Sequence, residues 1–170
     1  MVILEAIRKR YSCRAYQERA VEQEKLDQIF EAARLAPSAK NMQDWRFVVV
    51  TDREKRRKVA GTTNRPEVFG EAGVIVVACS NSDYVMRCGQ PTGPIDVAIA
   101  LDHISLQAIE LGLATCWIGS FEPEKVRAVL GIPDEIAVIE LMVLGYPANG
   151  HRQTSREPME KILCYEKWQF

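Results

Sequence analysis

The apolar positions of the sequence change period several times, and each change marks a candidate element. Leu26, Ile29, Phe30 and Ala33 fall at i, i+3, i+4 and i+7, which predicts an amphipathic helix over residues 22 to 35 with acids in its first turn. Pro37 ends it, because proline disfavours the helical region for the residue before it. A shorter helix is predicted over residues 2 to 9, with Val2, Ile3, Ala6 and Ile7 on one side. Phe47 to Thr51 (FVVVT), Val74 to Ala78 (VIVVA), Ala114 to Ile118 (ATCWI) and Ile136 to Leu144 (IAVIELMVL) read as strands. The unbroken apolar runs predict burial on both faces.

Between these lie charged and broken stretches. Arg53 to Ala60 reads as a charged helix closed by Gly61. Residues 81 to 93, rich in Asn, Ser, Gly and Pro, read as a loop. Pro123 suits a helix start, and Gly131 with Pro133 its end. A short helix is predicted near 157 to 162, before a tail carrying Tyr165, Trp168 and Phe170. Residues 94 to 112 form the most informative helix. It is apolar around most of its circumference, with Asp96, His103, Gln107 and Glu110 in one narrow stripe. Such a helix belongs in the middle of a protein or in a dimer core. Gly112 ends it. Helices and strands alternate irregularly, which predicts an α+β domain with one sheet.

Composition narrows the classes. The protein has 170 residues, enough for one compact domain over residues 1 to 170 with a sizeable core. Its formal net charge of −1 provides no global attraction to nucleic acid or an anionic membrane. The REKRRK run at Arg53 to Lys58 therefore reads as a solvated helix face. No stretch reaches transmembrane length, and the N-terminal residues do not have the order of a secretory leader. Five scattered cysteines form no C-x-x-C pair, so no disulfide framework or metal site is expected and a reducing cytoplasm is the simplest setting.

Three segments carry candidate chemistry. In Arg10-Tyr11-Ser12-Cys13-Arg14, an extended backbone would put Arg10, Ser12 and Arg14 on one face. Two guanidinium groups and a hydroxyl suit a phosphate monoester. By itself this spacing reads first as a solvated basic turn. The second segment, Pro37 to Trp45 (PSAKNMQDW), is a loop of Pro, Ser and Asn that also carries Gln43 and Trp45. The third runs from Gly145-Tyr146-Pro147 through Arg152, Ser155 and Arg156, and alone is only a strand end and a polar loop.

Taken in order, R-x-S-x-R, P-S-A-x-N-x-Q-x-W, the central G-L-x-T-C-W-I-G and the late L-G-Y-P followed by arginine resemble the nitroreductase family over nearly the whole sequence. The resemblance implies a central mixed, mainly antiparallel sheet flanked by helices, built as an intertwined homodimer with FMN at the dimer interface. It places the 94-to-112 helix in the dimer core and sends the aromatic tail across the partner. It implies that Arg10 and Ser12 hold the phosphate and ribityl group, and that Arg14 reaches the pyrimidine edge, where a cation favours the anionic reduced flavin. Tyr11 stands between them.

Pro37, Ser38, Ala39 and Asn41 match the segment supplied by the partner subunit to the dimethylbenzene and ribityl side, with Gln43 and Trp45 behind it. Asp44 stands where proline is frequent. Ile118, Gly119 and Ser120 match the stretch whose backbone faces flavin N5 and O4; Gly119 permits close approach. Arg156 matches the late basic residue of the phosphate clamp. The companion position two residues earlier is Thr154, which leaves Arg152 as its substitute. Asn64 is a looser candidate for the pyrimidine edge.

The activity implied is ping-pong transfer from NADH or NADPH through FMN to a nitroaromatic or quinone-type acceptor. No residue is singled out as a dedicated acid or base, and no G-x-G-x-x-G announces a separate nucleotide domain. Two other readings stand beside it: a flavin carrier or redox sensor without NAD(P)H turnover, and a specialised branch such as a reductive dehalogenase-like enzyme, for which only residues 61–70 and 81–93 are available as a lid. Cys13 and Cys116 read as small packing residues, since no partner base is evident. His103 reads as a packed interface residue, Asp96 as a capping or interface acid, and Trp117 as core.

Overall fold

The computed structural model describes residues 4–150 and 154–170. Val2 and Ile3 of the predicted first helix, and Arg152, lie outside the described residues. Four strands form the centre: β1 (Trp45–Val50), β2 (Val74–Ser80), β3 (Ala114–Ile118) and β4 (Ala137–Gly145). Their order is β1-β2-β4-β3, and neighbours pair antiparallel. The parallel component is a bridge from Ser12 to Thr115 on the outer edge of β3. The architecture is α+β, as the sequence predicts.

Every residue of β2 is buried, because both faces of the sheet are covered. Val74, Val76 and Ala78 pack with α2 (Gln23–Arg34) and α5 (Thr92–Glu110). Ile75, Val77 and Cys79 point the other way, into a core shared with α3 (Arg53–Ala60), Phe69 of α4 (Pro66–Phe69) and Val126 of α6 (Pro123–Leu130). Strand alternation thus divides the molecule into two layers on opposite faces of one sheet. α1 (Glu5–Lys9) packs against α5. Among the described residues, no helix is long and apolar enough to cross a membrane.

Three differences from the sequence-based expectation have local causes. α5 starts at Thr92, inside the predicted loop. Pro94 sits in its first turn, where a missing N–H breaks no helical bond. Gly93 is needed there because a Cβ would meet Ser80 Oγ at 2.8 Å. The one-turn α4 has Pro66 at its start and is too short to show a period. The predicted last helix shrinks to a 3-10 turn at Met159–Lys161, and Tyr165, Trp168 and Phe170 are exposed in the single protomer.

The end of β4 is anchored through Tyr146. Its hydroxyl donates to Glu22 Oε2 at 2.6 Å and accepts from Lys25 Nζ at 2.9 Å. The Arg19 guanidinium lies 3.8 Å from the ring centroid. Gly145 is required beside it, since a Cβ would stand 2.9 Å from the Gly73 backbone nitrogen. The Tyr146 hydroxyl, with the Glu22 backbone amide and Arg19 behind it, holds the Glu22 carboxyl down at about 2. A depressed carboxylate stabilises the fold above its unfolded pKa, and that contribution is lost as pH falls through the folded value. Glu22→Gln should therefore lower stability at neutral pH and leave it unchanged in strong acid. Urea unfolding at both pH values checks this; parallel losses at both would contradict it.

Candidate functional site

The first motif lies along the free edge of β3. Arg10 leaves α1 with extended backbone angles, and the Cys13 amide donates to the Thr115 carbonyl at 2.9 Å. The bridge holds the segment extended, so its residues alternate in direction. Tyr11 and Cys13 are buried, Arg10 and Ser12 are half-buried, and Arg14 is exposed. The face predicted for Arg10, Ser12 and Arg14 is therefore the outward one. Beneath it, the Tyr16 hydroxyl donates to the Cys13 carbonyl at 3.0 Å and locks the turn. Burial next to Cys13 pushes the Tyr11 hydroxyl up to about 12, so this tyrosine stays neutral.

A cavity of about 210 Å³ opens here, lined by Tyr11, Ser12, Cys13, Arg14, Ala15, Asn149 and Gly150. The loop after Tyr146 thus meets the first motif, and the Ala148 amide donates to the Ala15 carbonyl at 2.9 Å. Burial and the neighbouring Cys13 raise the Cys116 thiol pKa, while the Arg14, Arg65 and Arg10 guanidinium groups pull it down. Cys13 and Cys116 are each only 3% exposed, which suits packing.

Arg65 is a residue that sequence reasoning passed over in favour of its neighbour Asn64. The fold reveals it: a bridge joins Thr63 to Phe121, and the Glu122 amide donates to the Thr62 carbonyl at 3.0 Å. Residues 62–65 are thereby carried to the end of β3, next to Ile118, Gly119 and Ser120. Ile118 is buried, whereas Gly119 and Ser120 are exposed just beyond the strand.

The second motif lies in the other layer. Ala36 and Trp45, which flank it, belong to the core under α2 and α5, whereas Tyr11 and Cys13 belong to the opposite core. Ala39–Asn41 forms a 3-10 turn, and Lys40, Asn41 and Gln43 all have left-handed backbones, at φ 51, 57 and 55°. Non-glycine residues rarely adopt that region. Ser38 Oγ accepts from the Gln43 amide at 3.0 Å, the buried Asp96 carboxylate accepts from the Ala39 amide at 3.2 and 3.1 Å, the Gln43 side-chain amide donates to the Asn41 carbonyl at 3.1 Å, and Lys40 Nζ lies 4.1 Å from the Tyr84 ring centroid. Asp96 thus anchors the loop and does not cap its own helix, since α5 has no side-chain cap. His103 is half-buried, with Nδ1 3.2 Å from the Ala32 carbonyl.

Within one protomer, then, Arg10, Tyr11, Ser12 and Arg14 meet in one place beside β3, with Ile118 at the end of that strand and Gly119 and Ser120 just beyond it. Pro37, Ser38, Ala39 and Asn41 form a separate place. Arg156 lies in an exposed segment and bonds its neighbours Thr154 and Ser155.

The model of the Nitroreductase family matches residues 7–63 and 59–146. A nitroreductase family protein of Clostridium difficile 630 superimposes with a TM-score of 0.89 at 33% identity, covering 99% of the present protein and 100% of that one. The FMN-dependent nitroreductase of Clostridium difficile R20291 superimposes at 0.78 with 30% identity, covering 97% and 96%. An NADH dehydrogenase of Thermus thermophilus is 31% identical, over 92% of each sequence.

Proposed function

The protein belongs to the nitroreductase family, and on that premise we propose that it is an FMN-dependent oxidoreductase acting as one domain over residues 1 to 170. The observation that carries this reading is the extended segment that sets Ser12 and Arg14 at the 210 Å³ cavity, with Arg10 on the same outward face and Arg65 acting on the same buried Cys116 thiol. Fixed guanidinium groups with a hydroxyl between them fit a phosphate monoester. The FMN-dependent relative and the NADH dehydrogenase support the choice of flavin and nicotinamide donor.

When bound, FMN would supply the redox chemistry between a nicotinamide donor, NADH or NADPH, and a nitroaromatic or quinone-type acceptor in ping-pong order. The protein's own residues position that chemistry. Arg10 and Ser12 hold the phosphate and ribityl end, with Arg156 recruited to the same clamp. Arg14 places positive charge at the pyrimidine edge, and Tyr11 remains neutral beneath it. The backbone at Ile118, Gly119 and Ser120 offers hydrogen-bond donors to the reactive edge.

The working form is a homodimer in this reading. One protomer keeps its two motif segments in opposite layers, and a second copy supplies Pro37, Ser38, Ala39 and Asn41 to the site built on Arg10. A groove of about 560 Å³, lined by Leu4, Ala6, Ala32 and Leu106 and edged by Glu5, His103, Gln107 and Glu110, leaves α5 with a mixed apolar and polar surface for that partner. The cysteine pattern fits a reducing cytoplasm.

The test is the visible spectrum after FMN loading and desalting, followed by anaerobic NADH or NADPH. Retained flavin that bleaches supports the reductase. Retained flavin that stays yellow would point to the carrier or sensor, and a colourless protein would sink the flavin reading. Light scattering on the loaded protein reads the dimer.

A further inference from the structure

Glu140 is a carboxylate inside an otherwise apolar strand, and nothing in the function above uses it. It lies on β4 next to Leu141, whose partner on β3 is Ile118, so it stands opposite Gly119. A Cβ placed on Gly119 would lie 3.8 Å from both carboxylate oxygens, which puts the carboxyl group over that glycine. The Leu141 amide donates to Glu140 Oε1 at 3.3 Å, and the Ile118 backbone amide favours the charged form of the carboxylate. On its other side Glu140 pairs with Ala78, where the register between β2 and β4 shifts. Such bulges re-aim side chains and gather near active sites.

Among the described residues, no cation pairs with this carboxyl group. Burial raises its pKa above the usual carboxylate range, and only the Leu141 and Ile118 amides pull the other way; no charged group of β2, β3 or α5 contributes among the described residues. A half-buried carboxylate without a counter-ion is costly to keep in a sheet. Its neighbours, Ile118 and Gly119, are the residues assigned above to the flavin's reactive edge.

We propose that Glu140 is a positioning residue of the redox site, holding the Ile118–Gly119 backbone and placing one ionisable charge beside the flavin. The inference rests on the FMN reading. When ionised, Glu140 opposes negative charge on the reduced flavin; when protonated, it does not.

The experiment is a spectroelectrochemical titration of bound FMN from acid to alkaline pH in wild type, Glu140→Gln and Glu140→Asp. The wild-type potential should bend where Glu140 ionises, and the bend should vanish in Glu140→Gln. Above that pH, Glu140→Gln should favour reduced flavin roughly tenfold, about 30 mV for a two-electron couple. Glu140→Asp keeps the charge and should keep the bend. Superimposable wild-type and Glu140→Gln curves with flavin retained would overturn the inference alone, as would a bend lost in Glu140→Asp. Wild type that retains no FMN overturns the cofactor reading and this inference together.

Discussion

Arg10→Ala and Arg14→Ala should each weaken FMN binding by one to two orders of magnitude, and the double variant should lose flavin on desalting. A hydrogen bond to a charged group contributes about 1.5–3 kcal/mol, and about 1.4 kcal/mol corresponds to a factor of ten. The two arginines flank Ser12 on the outward face of a segment that the Cys13-to-Thr115 bond keeps extended, so neither needs rearrangement to reach a ligand. Lysine at either position should recover only part of the affinity, because it lacks the forked geometry. The pair should also separate by role. Arg14→Ala should lower the flavin potential, since it removes a cation from the pyrimidine edge; Arg10→Ala should leave the potential nearly unchanged. Flavin fluorescence titration and a redox titration measure these effects. The unfolding midpoint of the flavin-free protein should not move for Arg14→Ala, because Arg14 is exposed. Wild-type affinity in the double variant would remove Arg10 and Arg14 from the site.

The parts of the structure legible in sequence are those set by local rules. Apolar runs announced all four strands, and β3 and α3 begin and end where the residues predict. The alternation of Arg10, Ser12 and Arg14 followed from one assumption, an extended backbone, and burial of Tyr11 and Cys13 shows it. What sequence did not disclose depends on contacts between distant residues. Arg65 gains meaning only because Thr63 pairs with Phe121. Asp96 reads as an ordinary helix acid until the fold brings Ala39 to it from 57 residues away. Glu140 left a visible trace, a lone carboxylate in IAVIELMVL, but periodicity cannot say which neighbour such a residue faces. The start of α5 was hidden for a different reason: Gly93 is a breaker by composition and reads as part of the preceding loop, yet a first turn tolerates it.

Asp96→Ala should uncouple the Pro37–Asn41 loop from the rest of the molecule. Its carboxylate is the buried acceptor for the Ala39 amide, and its removal leaves that donor without its partner, at about 1–3 kcal/mol. The loop is poorly placed to absorb the loss. Lys40, Asn41 and Gln43 sit in left-handed conformations that an unrestrained backbone would leave, each non-glycine residue there costing on the order of 1 kcal/mol or more. Amide hydrogen exchange over residues 38–43 should therefore rise, while protection in β2 should change only with global stability. In the dimeric reading the same loop completes the partner's flavin site, so FMN affinity should fall about tenfold or more even though Asp96 is not assigned to the flavin. Asp96→Asn keeps an oxygen acceptor of the same length and should restore most of both signals. That rescue separates anchoring from charge: if asparagine were as damaging as alanine, the carboxylate's charge would be its contribution. Unchanged loop exchange in Asp96→Ala would show instead that the loop's other bonds, from the Gln43 amide to Ser38 and from the Gln43 side chain to the Asn41 carbonyl among them, suffice to hold it.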